Sequence, residues 1–240
     1  AAMVFINMLP ILIYPEPKHR EVSAAQTTPF NLQQIKNYLA YFVQSPVLAA
    51  WLAVLFSFKI ADGLAGPLLK PLMVDLGLSF SQIGLYVTML GACAALIGAG
   101  LAGYSLKLIR RATALVLYSV LKIFSLAAYT WLAFQYENQH SIQPWLIYLI
   151  NAFEDMTSSM LLVVMLTLVM QYSRKHLAGT DFTFQVALMA TVSGGLYSVS
   201  GLLGDWIGYF NYLCMIVVIA MLSLWFIFKW RGIAMHSNLS

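Results

Sequence analysis

Charge is scarce in this sequence. Asp, Glu, Lys and Arg make up 9% of its 240 residues, against about 25% in an ordinary soluble domain, which excludes a surface solvated mainly by water. The net charge of +4 points to no nucleic-acid partner. Cysteine is scarcer still. Cys93 and Cys214 stand in apolar runs without CxxC or Cys/His spacing, which argues against a disulfide framework or thiolate metal site and leaves two small buried hydrophobes. His19, His140, His176 and His236 fall in loops or tails, so no metal is expected, nor any other cofactor. No GxxxxGK[ST] occurs and no strand precedes the glycines, so there is no phosphate-cradling loop. No HExxH and no nucleophile with its base lies at apolar depth, which speaks against an enzyme.

Long apolar runs take the place of what is missing: 61% of the residues are hydrophobic. Six runs are long enough to cross a bilayer, which needs about 20 residues of helix. They are Pro46–Leu76, Gln82–Leu106, Ala112–Phe134, Gln143–Gln171, Thr180–Trp206 and Phe210–Trp230. Gly84, Gly91, Gly98, Gly100 and Gly103 in the second run permit close helix approach. Ser193-Gly194-Gly195 through Gly201 and Gly204 in the fifth reads the same way. Trp131, Trp145, Trp206 and Trp230 sit near run ends, as an interfacial aromatic belt does.

The organisation expected is all-α. Residues 1–14 form an apolar run too short to span, read as the end of a helix that starts upstream. Residues 15–45 form a linker, opened by Pro15 and Pro17 and holding an amphipathic helix at Asn31–Gln44 that lies in the membrane interface. A six-helix bundle fills 46–231 and a tail 232–240. Ten of the 13 Lys and Arg residues fall in alternate loops: Lys18, Arg20 and Lys36; Lys107, Arg110 and Arg111; Arg174 and Lys175; Lys229 and Arg231. The other loops hold Asp75, Glu137 and Asp205, with Lys70 nearby. By the positive-inside rule the linker and carboxy-terminus are cytoplasmic, in a multi-pass inner membrane protein.

The charges inside the runs stand out, because an ionisable group at bilayer depth costs at least a few kcal/mol and normally faces protein or a water-filled cavity. Lys59 and Asp62 are three residues apart on one helix face and can neutralise each other. Gly63, Gly66, Pro67 and Pro71 follow and loosen that helix. Glu154 and Asp155 are adjacent, about 100° apart around a helix, and cannot both point the same way. Two such close acids make one carboxyl a candidate proton carrier. Lys122, halfway along its run, can offset one of them. The charged pairs lie midway in the first and fourth of six runs. Three spans followed by three of opposite entry direction form an inverted repeat, whose equivalent helices meet at a midplane site. A structural set of buried ion pairs in a non-transporting scaffold or sensor is the competing expectation.

Several segments resemble a known family. Phe58-Lys59-Ile60-Ala61-Asp62-Gly63-Leu64-Ala65-Gly66 resembles the seventh helix of AmpG-type muropeptide permeases, and Asn151-Ala152-Phe153-Glu154 their tenth. Phe182-Thr183-Phe184-Gln185 resembles the start of the eleventh. The stretch from Ala178, with its Gly179-Thr180 pair, is more similar to related siderophore permeases and acetyl-CoA transporters. All belong to the major facilitator superfamily. The resemblance implies the carboxy-terminal half of a twelve-helix carrier, working by alternating access and coupled to protons. It also implies a small polar solute and an amino-terminal half as partners, and puts Lys59, Asp62, Glu154 and Gln185 near the pathway. Asp155 and Lys122 complete the candidate site.

Overall fold

The apolar runs become helices, and the residues at their ends explain where each starts and stops. A computed structural model describes residues 40–236. In it α1 spans Pro46–Asp75, α2 Phe80–Ser105, α3 Arg111–Glu137, α4 Pro144–Gln171, α5 Ala178–Ile207 and α6 Tyr209–His236. All six are long and apolar enough to cross a membrane, and the described residues contain no strand. The chain is an all-α, multi-pass membrane protein.

Proline opens α1 and α4 at their first helical positions, where its missing N–H is no loss. Gly77 and Gly208, at φ 90° and 82°, stop α1 and α5 in a conformation that side chains disfavour. Ser79 caps α2 in a capping box with Gln82, each side chain bonded to the other's backbone N–H (3.3 and 2.8 Å). At α6 the carboxylate of Glu137 accepts from Phe210 N–H at 3.0 Å, placing negative charge at a helix N-terminus. Pro67 and Pro71 do not interrupt α1. The carbonyl of Leu64, beside the one Pro67 leaves unbonded, accepts from the Tyr212 hydroxyl of α6 at 3.2 Å.

One boundary differs clearly from expectation. The helix α6 runs past Trp230 to His236, into the segment expected to be a tail. Trp230 and Ala234, one turn apart, are both buried, so the helical stripe goes on being packed. The run at 1–14 and the linker as far as residue 39 lie outside the described residues. Residues 40–44 are helical, and a bend at Ser45 leads into α1.

The principal helix contacts run in the order α2, α4, α3, α6, α1, α5. Exchanging α1 with α4, α2 with α5 and α3 with α6 leaves that order of neighbours unchanged. Small residues make two of these crossings. A Cβ at Gly98 of α2 would collide with the Met156 carbonyl and Ser159 Oγ of α4. One at Gly63 of α1 would lie 2.9 Å from the Ser193 backbone of α5. The expected packing by α5's own glycines holds only at Gly204, against Leu68; Gly194, Gly195 and Gly201 have nothing within 4 Å. It is α1 that brings the glycine to this crossing.

Burial corrects two further expectations. Trp131, Trp145 and Trp206 are exposed, but Trp230 is 2% exposed and packs on Trp51 and Tyr172, with ring centroids 5.4 and 6.2 Å away. Cys93 is exposed and Cys214 partly so, because in a bundle wrapped by lipid an apolar run has an outside as apolar as its inside.

Candidate functional site

The core is two apolar clusters with a polar layer between them. One cluster gathers Trp51, Leu55, Tyr118, Leu161, Leu168 and Trp230 at the arginine-rich end. The other gathers Leu68, Leu72, Tyr129, Ile150, Tyr212 and Ile216 at the end holding Asp75 and Glu137. On each of α1, α3 and α4 the mid-span charges fall where one cluster stops and the other starts. The buried Ser119, Ser125, Thr157 and Ser223 share that level.

Lys122 of α3 is the hub of this layer. Its ammonium is ion-paired with Glu154 of α4, donates to Ser158 Oγ and stands 3.9 Å from Asp62 of α1. Ser158 donates in turn to Glu154 at 2.8 Å. Asp62 is paired with Lys59 at 2.6 Å, the contact expected from their spacing. A chain of alternating charge, Lys59, Asp62, Lys122, Glu154, thus crosses three helices at mid-depth. Lys122 and Glu154 are buried, while Lys59 and Asp62 are partly exposed. A buried pair of this kind loses about 3–5 kcal/mol when one partner is removed, since the other charge is left uncompensated.

Asp155 is the acid outside that balance. It points toward α2 rather than α3 and has no cation within ion-pair distance among the described residues. Its Oδ2 accepts from Asn151 Nδ2 at 2.8 Å. Asn151 also accepts from the Tyr129 hydroxyl at 2.9 Å and donates to the Val87 carbonyl at 3.2 Å. Val87 ends a π-helical turn, Ile83–Val87, a local rearrangement often found at functional sites. Gly91 leaves room for the carboxylate, which a Cβ there would strike. Asp155, Glu154, Asn151, Thr88, Gly91 and Lys70 line a cavity of about 320 Å³ between α1, α2 and α4.

Five of the six expected site residues therefore come together. Gln185 does not. It lies in the arginine-rich half, where its Oε1 accepts from Trp51 Nε1 at 2.8 Å and its Nε2 donates to the Asp181 carbonyl at 3.2 Å. Beside it Arg174 grips the buried Asp181 with Nε at 2.9 Å, Nη2 at 2.8 Å and its backbone N–H at 2.8 Å. The guanidinium also stands 4.1 Å over the Tyr41 ring. Asn151, Ser158 and Lys70 were missed as site residues. The first two had a sequence signal, since each stands one helical turn from an acid it bonds.

The chain matches no protein-family model, and no solved structure matches its fold.

Proposed function

We propose that this chain is the carboxy-terminal half of a major facilitator-type secondary transporter, one that imports a polar organic solute with protons across the inner membrane. A muropeptide or a siderophore is the solute class in view. The observation that carries this reading is the mid-depth charge chain across α1, α3 and α4, with Asp155 beside it on an open cavity. A proton taken by Glu154 removes the charge holding Lys122 on α4 and leaves the ammonium to Asp62 on α1. Protonation and the relation of those helices are then linked. Asp155, with no cation to neutralise, is the acid best suited to meet a solute or carry the proton, and Lys70 at the far side of the cavity suits an anionic group.

Two further features support the reading. The neighbour order is unchanged when the first three helices are exchanged with the last three, as an inverted repeat requires. The outward faces of α2 and α5 carry small and polar residues, among them Thr88, Ala92, Thr191, Gly194, Gly195 and Ser198, beside large apolar ones such as Leu90, Leu96 and Leu202; the small residues allow close approach of a covering helix. One observation favours a non-transporting scaffold or sensor: Lys59, Asp62, Lys122 and Glu154 balance as two cations and two anions.

Uptake decides between them. Vesicles holding the full-length carrier are given an anhydro-muropeptide or a ferric siderophore, with and without an imposed proton gradient. Gradient-driven uptake of one of them, lost in Asp62→Asn and Glu154→Gln, is expected. Normal uptake by both charge-neutral variants contradicts these roles. No uptake of either solute by folded carrier favours the scaffold.

A further inference from the structure

At the arginine-rich end a second cavity, of about 470 Å³, opens between the α2–α3 loop, the end of α4 and the end of α6. Arg110, Arg111 and Arg231 line it, and no lining residue is acidic. None of the three arginines is ion-paired with a described residue. Arg111 is held in place by donating from Nη1 to Gln171 Oε1 at 2.8 Å. Trp230 forms part of the wall; it is 2% exposed and its ring packs on Tyr172, which also lines the pocket. Three guanidinium groups without an ion-pair partner among the described residues, gathered where no carboxylate lines the wall, are a donor set lacking its anion.

We propose that this pocket binds the phosphate group of an acidic phospholipid. Guanidinium groups meet phosphate oxygens with paired N–H donors, and basic pockets between membrane helices suit anionic head groups. The rest of the wall selects a lipid over a free ion. Leu106, Ile109, Leu168 and Ala234 are apolar, and Met235, 51% exposed, continues that surface outward. The pocket also lies at the ends of α4 and α6 and the start of α3, the depth at which head groups sit. The neighbouring Arg174 cannot compete, because Asp181 already occupies its fork.

The test titrates the purified full-length protein, in a neutral maltoside detergent, with dioleoylphosphatidylglycerol, dioleoylphosphatidylcholine or inorganic phosphate, and reads bound species by native mass spectrometry. Phosphatidylglycerol should bind at least tenfold more tightly than phosphatidylcholine. The variant carrying Arg110→Gln, Arg111→Gln and Arg231→Gln should lose at least tenfold. Lys229→Gln, a cation at the same end that stands over Trp225 outside the pocket, should change nothing. Unaltered binding by the triple variant, shown to be helical, overturns the proposal. So does an equal loss in Lys229→Gln, which would mean general surface attraction. Saturation by inorganic phosphate with no lipid bound also overturns it.

Discussion

At the arginine-rich end Asp181, fully buried, receives three N–H donors from one residue, Arg174; at mid-depth one lysine serves acids on two different helices. The first network is local, joining the α4–α5 turn to the first turn of α5. Its geometry survives any motion that carries that corner as a unit. The second is dispersed over α1, α3 and α4, and it has an acid to spare beside a cavity. Both solve the problem of keeping charge in an apolar interior. The difference is that the corner clamp has one stable arrangement, whereas Lys122 has two acids within reach and a hydroxyl between. A single proton redistributes its bonds.

Substitutions separate the two networks, the largest effect first. Lys122→Ala leaves Glu154 buried and Asp62 with one cation fewer, and should lower stability by about 3–5 kcal/mol, read as a lower denaturation midpoint in detergent. Lys122→Met with Glu154→Gln should recover most of that loss, since the Lys59 and Asp62 pair remains balanced, yet uptake should stay absent. Recovery of uptake as well would make the centre a purely structural network. Arg174→Ala should cost somewhat less, about 2–3 kcal/mol for lost charged hydrogen bonds, because the Arg174 backbone N–H still reaches Asp181. Uptake per folded molecule should be unchanged there.

A finer division is expected between glycines of α2. Gly91→Ala pushes a methyl group onto the Asp155 carboxylate and should cost about 1–3 kcal/mol as an overpacked contact. Gly100→Ala, with nothing within 4 Å, should stay within about 0.5 kcal/mol. Equal effects would mean that α2 does not hold Asp155 as described. The smallest stability change is predicted for Asp155→Asn, within about 0.5 kcal/mol, since it is partly exposed and has no ion pair to break. Gradient-driven uptake should nevertheless be lost. A variant that is stable but inactive is the signature separating this acid from Asp181.

Much of this fold was legible in local pattern. The starts and stops of α1 to α5 follow from Ser-Pro, Gly and apolar length, and Lys59 with Asp62 is an i,i+3 pair readable without a structure. What was not legible depends on which helices are neighbours. Lys122 had three acids to choose from at similar depth, and only the adjacency of α3 to α4 assigns it to Glu154. Gln185 was drawn toward the pathway by resemblance, but its partner Trp51 lies 134 positions away. Trp230 occupies an interfacial position in sequence, yet turns inward because Trp51 and Tyr172 face it. Cys93 shows the converse, an apolar run whose residue faces outward.

The role of Asp155 can be tested without any solute. Dicyclohexylcarbodiimide attacks carboxyl groups that can hold a proton in apolar surroundings, and peptide mass spectrometry maps the adduct. Modification is expected at Asp155, with weaker reaction at the lysine-paired Asp62 and Glu154 and none at Asp181 in its arginine fork. Modification of Asp181 as readily as Asp155, or an untouched Asp155 in folded protein, would contradict that role.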